Sequence, residues 1–386
     1  MARIYLDHNA STGVRPEVLE AMLPYFREHY GNASSVHAYG QEARGAVDEA
    51  RGRVAVLLGA TPGEIVFTSG GTESDNLAVI GVARAMTGKG RHIVTTAIEH
   101  DAVRHACDLL EQEGFEVTRV APGPDGRVTA QTIEAALRPD TILVTVMAAN
   151  NETGVIQPMA EIGALCETRG ILFHSDAVQA AGKVPIDVAA WRCSLLTITA
   201  HKFYGPKGAG ALYVKRGVKP APMQVGGEHE RGRRAGTENV PAIVGLGRAS
   251  ELAAEDVVKA APRIAALRDR LETELMARIP QVIRHGASAP RVCNTAHLSF
   301  TGAEGEFLIV TLDTKGVAVS SGAACKAGSS HPSHVLLAMG VPAQVAQSAV
   351  RFSLGRSTTE AEIDRVIEIV PGVVQKLRQG SPTLAS

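Results

Sequence analysis

Apolar runs of four to eight residues alternate along the chain with amphipathic stretches, and glycine-bearing turns separate them, which predicts alternating strands and helices. Tyr5-Leu6-Asp7 through Thr12 reads as a short strand and a turn, followed by an amphipathic helix from Pro16 to about His29. Gly31 to His37 is too polar for a core and is followed by a helix from about Gly40 to Leu58. Glu64 to Phe67 is a short strand, and Thr68 to Ser74 turns into a helix from Asp75 to Ala85. Ile93–Thr96, a helix after His100, Glu116–Val120, Ile133–Leu137 and Thr141–Ala148 continue the alternation. Ile171 to His174 is a buried strand ending at Ser175-Asp176, and a further apolar run ends at Thr197-Ile198-Thr199. Alternation on this scale implies an α/β fold with a mostly parallel sheet and helices on both faces.

Beyond Lys215 the pattern changes. Lys215 to Gly236 is a Gly/Pro/Arg-rich loop, and a long helical region from Pro241 to about Arg278 marks a domain boundary. Strands near Val282 and at Ala296–Phe300, Val317–Ser320 and Val350–Leu354 then interleave with helices at Gly305–Lys315, His334–Met339 and Thr359–Leu377. The expected division is a large domain over 13–250 and a smaller α+β domain over 1–12 and 251–386. Ser381 to Ser386 reads as a frayed tail.

Candidate chemistry collects where apolar runs end, the edge at which ligands bind in such sheets. Glu99-His100, Asn150-Asn151-Glu152-Thr153-Gly154, Asp176 with Gln179 shortly after, and Thr199-Ala200-His201-Lys202 all fall there. A lysine and an acid at the ends of two such runs form a pyridoxal phosphate (PLP) pattern, because that cofactor is held by a lysine Schiff base and an aspartate on its pyridinium nitrogen. Taken singly, each has a blander role: Asp176 as a helix cap, Lys202 as a solvated loop lysine. Thr68-Ser69-Gly70-Gly71-Thr72-Glu73-Ser74 makes a phosphate cup, since glycines let backbone N–H groups approach an anion and the helix dipole favours negative charge. It lacks the lysine of a Walker loop, so a monophosphate suits it better than a nucleotide.

With 386 residues the chain can bury a large core, and 45% hydrophobic with 20% charged residues is the balance of an ordinary soluble protein. A net charge of -1 offers no electrostatic footprint for nucleic acid or an anionic membrane, and Arg231, Arg233 and Arg234 are the one notable basic cluster. The N-terminus has no apolar targeting region and no window approaches the ~18 apolar residues of a membrane span, so a cytoplasmic protein is expected. Cys107, Cys166, Cys193, Cys293 and Cys325 contain no CxxC spacing, which implies reduced thiols with neither disulfides nor structural zinc. Cys325 differs from the rest: it sits in a small, polar stretch, Ser320 to Ser330, beside Lys326, and a neighbouring cation favours thiolate.

With these residues assembled, the chain resembles the cysteine desulfurases of the NifS/IscS type, within the PLP-dependent aminotransferase class V family. The resemblance runs from Tyr5-Leu6-Asp7 to Arg351-Phe352-Ser353-Leu354-Gly355-Arg356. It rests on Thr68 to Ser74, Asn150 to Gly154, Asp176-Ala177-Val178-Gln179, His201 to Gly208, and Ser320 to Cys325. It implies PLP fold type I, with a mostly parallel seven-stranded sheet in the large domain. It implies that Lys202 carries PLP and moves protons, Asp176 holds the pyridinium proton, His100 stacks on the ring, and Asn151 and Gln179 bond its O3' side. Gly71, Thr72, Thr199 and His201 would hold the phosphate, with Thr237 arriving from the other subunit of a homodimer. Asn32 and Arg351 would grip the carboxylate of L-cysteine, and Cys325 would take its sulfur as a persulfide for a protein acceptor, an iron-sulfur scaffold or a sulfur carrier. Departures from the family pattern are Thr199 for serine, His229 for glutamine, Ala33 for proline, and Lys326 for a small hydroxyl residue. Gly322-Ala323-Ala324-Cys325, Gly236-Thr237-Glu238-Asn239 and Gly355-Arg356-Ser357-Thr358-Thr359 also occur in selenocysteine lyases, the nearest alternative, and a PLP-dependent transaminase is the other.

Overall fold

Seven of the apolar runs pair into one central sheet in the computed structural model, which describes residues 3–322 and 331–380. After a short first strand, β1 (Ile4–Tyr5), these are β2 (Ile65–Thr68), β3 (His92–Thr96), β4 (Glu116–Val120), β5 (Thr141–Thr145), β6 (Leu172–Asp176), β7 (Leu195–Thr199) and β8 (Gly210–Val214). Their order is β2-β8-β7-β6-β5-β3-β4. The strands from β7 to β4 run parallel, and β8 lies antiparallel between β7 and β2. Strands such as Leu195–Thr199 are buried throughout, without alternation, because helices cover both faces. One core cluster joins Phe173, Ile198 and Ala211 to Val54, Leu58 and Leu246, and another joins Val66, Leu143 and Leu212 to Leu77, Ile80 and Leu110.

Several elements depart from the sequence expectation for local reasons. The helix expected from Pro16 to His29 is two pieces, Pro16–Met22 and Pro24–Arg27, since Pro24 has no N–H to continue the first. The helix expected to begin at Asp75 begins at Gly71. The long helical region is two helices, Val240–Lys259 and Ala261–Arg278, that meet at Ala260. The helix Met159–Arg169 escaped the sequence pattern: it has no capping side chain and only a narrow buried stripe of Met159, Ile162, Gly163 and Cys166. So did β8, hidden behind the glycine turn after Lys207.

A second core forms around an antiparallel sheet of β9 (Val282–Arg284), β10 (Thr295–Phe300) and β12 (Ala349–Ser353), in the order β12-β10-β9. The two-residue β11 (Val317–Ala318) pairs with β1, so Ile4 and Leu6 pack among Leu298, Phe352 and Val366. Just beyond β1 the chain bridges to Ser353 at Asp7 and then crosses to the carboxyl edge of the central sheet. No described helix is long and apolar enough to cross a membrane.

Candidate active site

A cavity of about 380 Å³ opens at the carboxyl edge of the central sheet. Gly71, Thr72, His100, Asn151, Asp176, Gln179, Thr199, His201, Lys202 and Arg351 all line it, so residues spread over 280 positions of sequence meet at one place. The reason is topological: the C-terminal ends of β2, β6 and β7 point to the same edge, and each is followed at once by one of these groups.

Each group is held by its own local structure. The helix Gly71–Ala85 starts directly after β2 and its N-terminus, at Gly70, has no capping side chain. Its first-turn N–H groups and dipole therefore face the cavity. Lys202 ends a single 3-10 turn after β7, and its Nζ donates to the carbonyls of Asn9 at 2.6 Å and Ala10 at 2.9 Å. His100 caps the helix Asp101–Gln112: its Nδ1 accepts from the Ala102 N–H at 3.1 Å, which leaves the ring proton to Nε2. His201 has its imidazole pulled down to about 4 by burial, with Lys202 and Lys207 adding to the effect.

Asp176 is the last residue of β6, and its Oδ1 accepts from the Val178 N–H at 2.9 Å. Burial raises its carboxyl, while the nearby His100 and Lys202 pull it back. Asp75, from the helix behind it, is buried as well, and burial together with the Asp176 charge holds it well above the carboxylate range. Of the two, Asp75 holds a proton the more strongly, and Asp176 is the one with cations beside it to favour its anion. Glu99 lies deeper still: burial pushes it up to about 8 although its Oε1 accepts from the Thr96 hydroxyl at 2.6 Å and the Met147 N–H at 2.9 Å.

Arg351 is almost completely buried on β12. Its Nη1 donates to the Asn151 carbonyl at 2.9 Å and its Nη2 to Asp7 Oδ1 at 2.8 Å. Gln179 has both ends of its amide engaged, donating to the Asn9 carbonyl at 2.9 Å and accepting from Lys183 Nζ at 2.6 Å. Burial draws the Lys183 ammonium down to about 7.

Two expected residues lie elsewhere. Asn32 is exposed, outside this cavity, with its Oδ1 accepting from the Ser34 N–H at 2.8 Å. Thr237 is exposed too, on the loop that Glu230 and Arg234 tie back to Arg51 and Glu73. Cys325 and Lys326 fall outside the described residues, but Gly322 and His334, on either side of that segment, both line the cavity.

Sequence reasoning assigned no role to Asn9, the most connected side chain of the site. Its amide donates to the Asn151 carbonyl and to Thr295, and its Oδ1 accepts from Lys183 and Asn294. Asp7, the partner of Arg351, went unassigned as well. A signal was present: a two-residue strand followed by Asp7-His8-Asn9, three consecutive polar residues of which two are buried.

The fold and this site define a class. The family model for aminotransferase class-V matches residues 4–366, and the chain belongs to that family. Within it, a cysteine desulfurase IscS of Anaeromyxobacter dehalogenans is 52% identical over 384 residues, covering 98% of this chain and 94% of the relative. A solved NifS-like protein superposes with a TM-score of 0.91 at 39% identity, covering 97% of this chain and all of the other. A structure of SspA in complex with cysteine superposes with a TM-score of 0.81 at 36% identity, covering 92% of this chain and 100% of the other.

Proposed function

We infer that this chain is a cysteine desulfurase that uses pyridoxal phosphate to convert L-cysteine to L-alanine and takes the sulfur on Cys325. The observation that carries the reading is the convergence of the Lys202 amine, the Asp176 carboxylate and the Arg351 guanidinium on one cavity whose rim is formed by both flanks of the Cys325 segment.

The donor set fits the cofactor. An uncapped helix N-terminus with the Thr72 and Thr199 hydroxyls and His201 suits a phosphate, and Thr237 of a second subunit would complete that cup. Asp176, whose burial-raised carboxyl is pulled back towards the anion by His100 and Lys202, suits a pyridinium N–H, and the amine of Lys202 lies within the same cavity. His100 would stack on the ring and Asn151 and Gln179 would bond its O3' side. When bound, PLP supplies an electron sink that acidifies the amino acid's Cα and labilises its C–S bond.

The remaining steps belong to the chain's own side chains. Arg351 grips the substrate carboxylate, the bidentate task to which a planar guanidinium is suited, with Asn32 as its expected second partner. Lys202 takes the Cα proton and returns one to carbon. The Cys325 thiolate attacks the substrate sulfur: an S–S bond forms as the C–S bond breaks, the carbon takes a proton to become the methyl of alanine, and Cys325 is left as a persulfide for a protein acceptor. We assign 13–250 to the large domain, and 1–12 with 251–386 to the smaller one that supplies Arg351 and Cys325.

Borohydride reduction of the purified, yellow protein should fix the cofactor on Lys202, and an adduct on Lys183 or Lys207 would overturn the assignment. Cys325→Ser should still change the absorbance of the bound cofactor on addition of cysteine while releasing almost no alanine. Alanine release near the wild-type rate would remove Cys325 from the reaction.

A further inference from the structure

Glu152 is buried beneath the rim of the cavity, one residue after Asn151, and none of the roles above uses it. A buried carboxyl is costly unless its oxygens are partnered. Burial raises this one, opposed by its bond to Ser333 and by the Arg351 charge, with Asp101 and Arg104 also facing it.

Its surroundings are specific. Ser333 donates its hydroxyl to Glu152 Oε2, and the same hydroxyl accepts from the Leu336 N–H at 3.1 Å to cap the helix His334–Ala338. On the other side, Gly322 lies so close that a Cβ built on it would come within 2.1 Å of Glu152 Oε2. A Cβ there would force the Glu152 carboxylate to move, whereas the backbone conformation itself does not demand glycine. Gly322 and Ser333 bracket the stretch that contains Cys325, so one carboxyl oxygen meets both of its flanks.

The same carboxyl is tied to the substrate end. Arg351 donates to the carbonyl of Asn151, the preceding residue, and exchanges two backbone hydrogen bonds with Ser320, at 2.8 and 3.2 Å, just before Gly322. Arg351, Ser320, Gly322, Glu152 and Ser333 form one continuous frame.

We propose that Glu152 is a positioning residue that holds both flanks of the Cys325 segment in register with the Arg351 site, so that thiol and substrate sulfur are delivered to the same point. The proposal rests on the reading of Cys325 as sulfur acceptor. It separates binding from sulfur transfer: cofactor and cysteine should bind without Glu152, and transfer should not proceed at its normal rate.

The test compares the full-length holoenzyme with Glu152→Gln, Glu152→Ala, Ser333→Ala and Cys325→Ser. Three quantities are followed: cofactor absorbance on titration with cysteine, alanine release, and the rate at which iodoacetamide alkylates Cys325. Glu152→Ala and Ser333→Ala should lower kcat by up to about a hundredfold, the scale of a roughly 1 Å misplacement. KM and the absorbance response should stay near wild type, and Cys325 alkylation should change. Glu152→Gln keeps an acceptor for Ser333 and should retain most of the activity. Gly322→Ala should be damaging alone and relieved in the Glu152→Ala background, a non-additivity expected only if the two residues touch. Unchanged kcat in Glu152→Ala with an inactive Cys325→Ser would overturn this proposal alone. Loss of cofactor binding in Glu152→Ala with unaltered Cys325 alkylation would also overturn it, leaving Glu152 a structural residue. An active Cys325→Ser would overturn the underlying reading and the proposal with it.

Discussion

The carboxyls behind the cavity differ in charge because they differ in what surrounds them. Glu99 is fully buried, with two donors to one oxygen and no partner for the other among the described residues. Its pKa of about 8 in the folded chain lies above the ordinary 4.5, so the folded state binds the proton more tightly than the unfolded chain. That contribution to stability is complete below pH 4.5 and is lost as pH rises to about 8. Glu99→Gln keeps the acceptor oxygen and cannot ionise, so its stability relative to wild type should rise between pH 5 and 8. Urea midpoints across that range read the effect, and a pH-independent difference would show that Glu99 does not titrate there. Asp176 and Lys202 could be singled out from sequence because each follows an apolar run. Asp75 could not, because its raised carboxyl depends on its burial and then on the nearby Asp176 charge, neither of which a local pattern records.

At the scale of elements, the loop between β8 and the helix Val240–Lys259 is anchored by a buried ion pair as well as by the Arg234–Glu73 pair. Arg51, on the helix Ala38–Leu58, donates to both oxygens of Glu230 at 2.7 and 2.8 Å, and Glu230 also accepts the Phe67 N–H of β2 at 2.9 Å. Glu230 and Arg231 both adopt positive φ, 48° and 60°, a conformation that non-glycine residues hold only when their surroundings impose it. Glu230→Ala would take from the buried Arg51 its close carboxylate partner, leaving the Ile65 carbonyl at 2.9 Å and the more distant Asp48 at 3.9 Å, a loss of up to about 3–5 kcal/mol. Chemical denaturation should show that loss, and limited proteolysis should cut first within Gly226–Asn239. Destabilisation below about 1 kcal/mol would mean that the pair contributes no more than a surface ion pair does. The sequence marks this stretch as a long glycine- and arginine-rich loop, but not that its middle is a buried anchor, since Arg51 lies far away in the chain.

For the whole molecule, Thr237, which we propose completes the phosphate cup of a second subunit, is exposed and lies outside the cavity of its own chain. A homodimer in which the loop enters the partner's site accounts for this placement, and sedimentation should give twice the chain mass for active protein. Co-expressed Thr237→Ala and Lys202→Ala chains provide the sharper measurement. If Thr237 acts across the interface, the mixed dimer has one intact site and one doubly damaged site, and should recover about half of the wild-type activity per dimer. Activity no better than the mean of the two parent variants would place Thr237 in its own chain's site.

The alternation of apolar runs, the burial of their residues and the polar groups at their ends were legible in the sequence, because they follow from side-chain period and from the chemistry of adjacent residues. Thus β6 with Asp176, β7 with Lys202, and the glycine turn before the helix Gly71–Ala85 could all be placed from local order. Contacts that join distant segments could not: Asn9 beneath Lys202, Asp7 on Arg351, and Gly322 against Glu152 depend on β1 pairing with β11 and β12 lying beside β10. Strand order is chosen by packing of whole faces rather than by any one run, so it was the tertiary structure that decided which polar residues share the cavity and which, like Asn32 and Thr237, face away from it.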